Sequence, residues 1–162
     1  YEAVFYDTIR NQIVAVKEAV PSDETADAFV GEVTTLVPGT VGTQHRQKME
    51  DLVFPSRADG FEGAAVTYCE GDRSRRYLFL LCEGNFCENN DDGGGGVVKV
   101  YVAEGDSVEW GYLGTMLLPT TLMWKDYSGM DVRGDLIALV SQTSSRFWIG
   151  YLQWYVHPPT DT

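Results

Sequence analysis

The sequence is poor in catalytic signals, since it has few histidines and lacks several common active-site motifs. Its two histidines, His45 and His157, both stand in loop-like contexts. It contains no G-x-S-x-G elbow, no H-E-x-x-H pair and no P-loop. Acid–base catalysis by carboxylates stays open, but no pair of them stands out. The sequence therefore favours a non-enzymatic protein.

Long apolar runs and positive charge are also scarce. No run of about 18 apolar residues is present, so the sequence predicts no membrane span. The chain has 12 Lys and Arg against 24 Asp and Glu, for a formal net charge of −12. A negative field of this size repels nucleic acid and anionic lipid, so we expect neither as a partner. The same charge suits the binding of cations.

The sequence lacks an initiator Met and a signal-like segment, and Tyr1 already belongs to a strand-like pattern. We expect the chain to be a processed product or a piece of a longer polypeptide. Its 17 glycines and 12% aromatic residues favour an all-β protein over a helical bundle.

Cysteine is limited to three positions. Cys82 and Cys87 are separated by four residues that include Gly84 and Asn85, so a tight turn would bring their sulfurs together. A local disulfide would imply an oxidising compartment. The alternative is three reduced cysteines in a cytosolic protein. Cys69 is left over, either as a buried free thiol or as the partner of a cysteine outside the chain.

Short runs rich in Val, Ile, Tyr, Phe and Trp dominate the chain, and clusters of Gly, Asp, Asn or Pro separate them. This composition predicts strands. The predicted strands are Glu2–Tyr6, Gln12–Lys17, Ala28–Leu36, Lys48–Phe54, Glu62–Thr67, Tyr77–Cys82, Val97–Val102, Val108–Leu117, Tyr127–Val132, Leu136–Ser141 and Phe147–Trp154. Two segments also fit short helices: Ser22–Phe29, with Ser22 as the cap, and Gln44–Leu52.

Two motifs recur along the chain. The first is an aromatic residue, then Glu or Ser, then a small residue and an apolar strand; its second positions are Glu2, Glu62 and Ser128, which are 60 and 66 residues apart. The second motif is an apolar run that ends at Glu18, Glu83 and Gln142. A period near 60 residues with several strands in each unit predicts β-propeller blades.

The predicted blades span residues 1–60, 61–125 and 126–157, and the last lacks a fourth strand. About three blades cannot close a ring that needs about 4–8, so the chain is predicted to be half of a propeller. The other blades would come from the same precursor, from another chain or from a symmetry mate. The alternative is an ordinary β-sandwich whose strands merely look alike.

The repeated acidic positions have two interpretations. Glu2 and Glu62 begin innermost strands, where converging carboxylates could bind calcium. The structural alternative is that such side chains accept backbone hydrogen bonds and hold blade to blade. Repetition at equivalent positions favours the structural role, which we assign to four residues: Glu18, Glu83, Ser128 and Gln142. The polar segment 88–96 is predicted to be a solvated hairpin tip, since its oxygen-bearing residues lack the alternate spacing of a calcium loop.

The segments "GFEGAAV", "YLFLLCEGNFC" and "DYSGMDVRGDLIALVSQTSSRFWIG" carry a resemblance. The chain resembles a largely uncharacterised group of secreted or lumenal β-propeller proteins of algal type, over nearly its whole length. More distantly, it looks like the SdiA-regulated and esterase-like phytase propellers. The resemblance implies a six-bladed ring, a Cys82–Cys87 disulfide and an extracellular or organelle-lumen setting. In the distant relatives inner-strand acids bind calcium; Glu2 and Glu62 match that position and Ser128 does not.

The last predicted strand is dense in aromatic residues, and one of its faces is predicted to need a partner. The partner-facing candidates are Trp148, Tyr151, Trp154 and Tyr155. We therefore expect a non-enzymatic structural or protein-interaction subunit of a larger extracellular or lumenal assembly, with calcium as a candidate ligand. The alternatives are a calcium-dependent, phytase-like phosphoesterase and a carbohydrate-binding propeller that uses exposed Trp and Tyr.

Overall fold

The computed structural model describes residues 1–39, 44–57, 59–69, 71–82, 96–122, 124 and 126–153. Within these ranges the chain forms eleven β-strands, one turn of 3-10 helix at Thr120–Leu122 and no α-helix. The strands make three antiparallel sheets, and within each sheet neighbouring strands are consecutive in the chain. The prediction of an all-β chain built from blade-like sheets is confirmed. Among the described residues the last sheet has three strands and each of the other two has four.

The first sheet is formed by four consecutive strands. They are β1 (Ala3–Asp7), β2 (Gln12–Pro21), β3 (Phe29–Leu36) and β4 (Gln44–Phe54). The middle sheet also has four strands: β5 (Phe61–Cys69), β6 (Asp72–Cys82), β7 (Val97–Glu104) and β8 (Gly111–Leu117). The last sheet has three: β9 (Gly129–Arg133), β10 (Leu136–Ser141) and β11 (Arg146–Tyr151).

The two short helices allowed by the sequence are wrong. Gln44–Leu52 lies in β4, which pairs along its length with β3 in the first sheet. Residues 22–28 form the turn between β2 and β3, and the Ser22 hydroxyl accepts hydrogen bonds from the backbone nitrogens of Glu24 and Thr25. Ser22 caps a turn with the bonding pattern that we expected at a helix start.

The middle sheet is buried on both faces, which explains its continuous apolar strand. Leu78 and Leu80 of β6 point into a core shared with Val14 and Val16 of the first sheet. Phe79 and Leu81, which alternate with them, point into a second core shared with the last sheet. The three sheets therefore stack side by side, as successive blades do.

The first strand of each sheet lies beside the first strand of the next, since β5 contacts both β1 and β9. The approach is closest at Gly63 of the F-E-G motif. A Cβ built on Gly63 would lie 2.9 Å from the backbone nitrogen of Met130. The small residue of the repeat thus lets the inner strand of the next sheet come close.

No helix in the described parts of the chain is long and apolar enough to cross a membrane.

Candidate functional site

The last sheet exposes an apolar face on the side away from the middle sheet. Ile137 and Leu139 of β10 are buried against the middle sheet, so their neighbours in the strand point outward. The β10–β11 register places Leu136 opposite Tyr151, Ala138 opposite Ile149 and Val140 opposite Phe147. Five large apolar side chains on this face are 39–75% exposed: Leu136, Val140, Phe147, Ile149 and Tyr151. We call this set, with Ala138, the outer face of the last sheet.

The first sheet has a corresponding outer face. Ala3 and Phe5 of β1 pack on the core shared with the middle sheet, so Val4 and Tyr6 point the other way. Val4 is 64% exposed and Tyr6 is 55% exposed. Ile13 pairs with Tyr6 across β1 and β2. Lys17 lies farther along β2 and forms an ion pair with Glu32 of β3. These five residues are the outer face of the first sheet.

The aromatic residues predicted to face a partner do not all lie on one face of the last sheet. Tyr151 is the most exposed side chain of the outer face of the last sheet, at 75%. Trp148 points to the opposite side, where it packs partly buried against the core shared with the middle sheet. Trp154 and Tyr155 lie outside the described residues. Trp110 and Trp124 are each 3% exposed, so neither ring has a surface on which a sugar could stack.

The predicted calcium ligands lie where the inner strands begin. Glu2 precedes β1 with its side chain exposed, and Glu62 is the second residue of β5 and half-buried. Among the residues that the structure describes, no group of three or more His, Cys, Asp or Glu side chains is arranged to hold a metal ion. A calcium site at Glu2 and Glu62 stays a prediction.

Glu18 reaches from the first sheet towards the middle sheet. Its Cγ would be 2.4 Å from a Cβ on Gly60, the residue just before β5. Burial raises the pKa of Glu18, and the negative charges of Glu2 and Asp59 raise it further. Glu18 therefore lies beside the residue that leads into the middle sheet, and its blade-to-blade role stays a prediction. Its counterpart Glu83 lies outside the described residues.

Ser128 and Gln142 make their described contacts inside the last sheet. The Ser128 hydroxyl accepts a hydrogen bond from the Gln142 nitrogen at 2.8 Å, and the Ser128 nitrogen donates to the Val140 oxygen at 2.9 Å. In the same way, the backbone nitrogen of Glu2 donates to the backbone oxygen of Val16 at 2.9 Å. The repeat positions 2 and 128 therefore share one backbone geometry, and a blade-to-blade role for Ser128 and Gln142 stays a prediction.

At the other end of the inner strands, an ion pair that sequence patterns did not reveal joins the first and middle sheets. Arg76 of β6 is 0% exposed, and its Nη1 lies 3.2 Å from Oδ2 of Asp7 and 2.6 Å from Oε1 of Gln12. Its guanidinium lies 4.9 Å from the ring centre of Trp110, within the range of a cation–π contact. The only hint in the sequence was the basic run before the apolar part of β6.

Tyr68 completes this group. Its hydroxyl donates to the Asp7 carboxylate, at 2.8 Å and 2.7 Å from the two oxygens. Burial, together with the hydrogen bond and the charge of Asp7, raises the pKa of Tyr68 to about 12. We call Asp7, Gln12, Tyr68 and Arg76 the polar clasp; its charges are paired with each other, which is typical of a structural element.

An open pocket of about 540 Å³ lies next to the polar clasp, where β5 and β9 end. Its lining includes Tyr68, Cys69, Arg73 and Asp135. Cys69 is a half-buried free thiol, and the phenol of Tyr68 is already bonded to Asp7. Cys82 is buried at the end of β6, and its predicted partner Cys87 lies outside the described residues.

Comparisons with known proteins give the chain no relative. No protein-family model matches the sequence, no curated protein is significantly similar to it and no solved structure matches it significantly. The resemblance to secreted or lumenal propellers, which rests on the segments quoted above, stays a prediction.

Proposed function

We propose that the chain is a non-enzymatic β-propeller module that acts as a structural or protein-interaction subunit of a larger extracellular or lumenal assembly. The observation that carries this proposal is the outer face of the last sheet. Five large apolar side chains lie together there, at 39–75% exposure, on a sheet whose other face is fully engaged. An apolar patch of this kind on a soluble protein marks an interaction site.

The middle sheet supports the proposal from within the molecule. Its first three strands are ordered as those of the last sheet are, and both of its faces are covered by neighbouring sheets. Covering apolar surface contributes about 25 cal/mol for each Å² removed from water. A partner that covered the outer face of the last sheet would therefore bind favourably, for the same reason that neighbouring sheets pack on the middle sheet.

Hydroxyl-radical footprinting of the protein isolated from its natural source tests this role. Phe147, Ile149 and Tyr151 should be oxidised several-fold more slowly than Leu113 and Leu117, which are 56% and 69% exposed on β8. Equal oxidation of the two groups would show that the outer face of the last sheet is uncovered and would refute the proposal. The β8 residues serve as the internal control, because they are apolar and similarly exposed in the same chain.

A further inference from the structure

The faces of the three sheets follow one series. In the middle sheet, Leu78 and Leu80 face the preceding sheet, whereas Phe79 and Leu81 face the following one. In the last sheet, Ile137 and Leu139 face the preceding sheet. The outer face of the last sheet is thus the counterpart of the middle-sheet surface that the last sheet covers.

The first sheet begins the same series. Val14 and Val16 face the following sheet, so Ile13, Ala15 and Lys17 occupy the side that a preceding sheet would contact. The matching backbone bonds from Glu2 to Val16 and from Ser128 to Val140 show that the two end sheets share one register at their inner strands. The outer faces of the first and last sheets are therefore the two halves of the same kind of contact.

Gly129 supplies a second observation at the predicted contact. It occupies the repeat position of Gly63, where a Cβ would collide with the backbone of the next inner strand. A Cβ on Gly129 would meet only Val140, at an ordinary distance of 3.9 Å. In the described chain, the space beside Gly129 is therefore open, whereas the space beside Gly63 is occupied by the inner strand of the neighbouring sheet.

We infer that the outer face of the last sheet is covered by the outer face of the first sheet of a second copy of this chain, and that two copies close one ring. This inference rests on the proposed docking role of the last sheet. Two head-to-tail contacts related by a twofold axis bring together six sheets, within the range of about 4–8 blades that closed propellers use. Every outer face of both copies is then covered.

The charges on the two faces allow this contact although each chain has a net charge of −12. On the outer side of the first sheet Lys17 is paired with Glu32, and the β3–β4 register places two further bases, Lys48 and Arg46, on the same side. Lys48 is itself paired with Asp23. The outer face of the last sheet is flanked on β9 by one acid and one base, Asp131 and Arg133. Acids and bases are thus mixed in both contact regions, so the chain's net negative charge is not concentrated where the two copies would meet.

Native mass spectrometry and light scattering of the full chain test the inference. We expect a particle of twice the 18.0 kDa chain mass that does not grow further with concentration. The substitutions Ile149→Asp and Val4→Asp, one on each outer face, should each give monomers. Leu113→Asp on β8 is the matched control and should leave the mass unchanged. Circular dichroism of each variant checks that the sheets are intact.

Mixing the two monomeric variants distinguishes a head-to-tail ring from any other dimer. The Ile149→Asp chain keeps an intact first sheet and the Val4→Asp chain keeps an intact last sheet, so one good contact can form between them. We expect a heterodimer in the mixture and none in either variant alone. Failure to form it would overturn the head-to-tail arrangement.

The remaining outcomes are also decisive. A monomeric wild-type chain would overturn the inference, as would masses that keep rising with concentration, which indicate an open filament instead of a ring. If footprinting shows the outer face of the last sheet covered while the native mass is not twice that of one chain, a different partner covers it. In that case the docking role stands and the second copy is wrong.

Discussion

The guanidinium of Arg76 in the middle sheet contacts the carboxylate of Asp7 in the first sheet, with 3.2 Å between Nη1 and Oδ2 and both side chains almost fully buried. The pair joins strands that are 69 residues apart in the chain. It holds the first two sheets together at one end of their inner strands. Gln12 accepts a further hydrogen bond from the Arg76 guanidinium, and the Tyr68 hydroxyl donates one to the Asp7 carboxylate.

Replacing Arg76 by Met should destabilise the chain by about 3–5 kcal/mol, because the Asp7 carboxylate would be left buried without its cation. Urea unfolding measures the change. Arg75→Met is the matched control: Arg75 pairs with Glu104 at 3.1 Å, but the two side chains are 53% and 69% exposed. Its loss should cost less than about 1 kcal/mol. Equal effects of the two substitutions would contradict the structural importance of the buried pair.

Gly63→Ala should destabilise the chain by about 1–3 kcal/mol, since the new Cβ would press on the backbone at Met130. Gly129→Ala should change the free energy of unfolding by less than about 0.5 kcal/mol, because its Cβ meets nothing closer than 3.9 Å. Both changes are best measured in the Ile149→Asp background, where association does not contribute. A larger loss at Gly129 than at Gly63 would be contrary to the described packing.

Stability should fall as pH rises from about 10 to about 12, partly because of Tyr68. Its pKa in the folded chain is about 12, above the ordinary tyrosine value of about 10. In this window the unfolded chain has released a proton that the folded chain keeps, so unfolding becomes easier as pH rises. Tyr68→Phe should reduce the slope in urea unfolding at several pH values. Part of the slope should remain, because burial and Asp51 also raise the pKa of Tyr101. An unchanged slope in the variant would refute the assignment.

Glu18→Gln should stabilise the chain at neutral pH. Burial and the charges of Glu2 and Asp59 raise the pKa of Glu18, so its contribution to stability is present in acid and is lost as pH rises through the folded pKa. The gain should disappear in acid, where Glu18 is protonated. Glu24→Gln, in the exposed turn after β2, is the control and should have little effect at either pH. The repeat already places a neutral residue, Gln142, at the corresponding position.

Calcium titration followed by thermal unfolding separates the two roles considered for the glutamates. For a purely structural role we expect the same Tm with and without calcium. A large rise in Tm that Glu62→Gln abolishes would assign a cation site at the start of the inner strands.

Thiol titration tests the predicted disulfide. If Cys82 and Cys87 are paired, the unfolded, unreduced chain should react at Cys69 alone, and reduction should expose two further thiols. Because the loop is short, reduction should cost about 2 kcal/mol of stability. Three reactive thiols before reduction would instead support a reducing compartment.

The strands and their grouping into repeats could be read from local pattern. The apolar runs of β6 and β10 and the aromatic–Glu–small motif each depend on residues that are close in sequence, so their period is visible without a structure. The expected helix at Gln44–Leu52 failed for the same local reason. Its charged residues fit an exposed helix as well as an edge strand, and only pairing with β3 decides between them.

The polar clasp and the two outer faces depend on tertiary structure. Asp7 and Arg76 are far apart in the chain, and no periodicity indicates that they meet; the packing of the first sheet on the middle sheet brings them together. Trp148 and Tyr151 looked equivalent as aromatic residues of one strand. The pleat of β11 turns Trp148 into the core and Tyr151 outward, because neighbouring positions face opposite sides of a sheet and only one side is packed against the middle sheet.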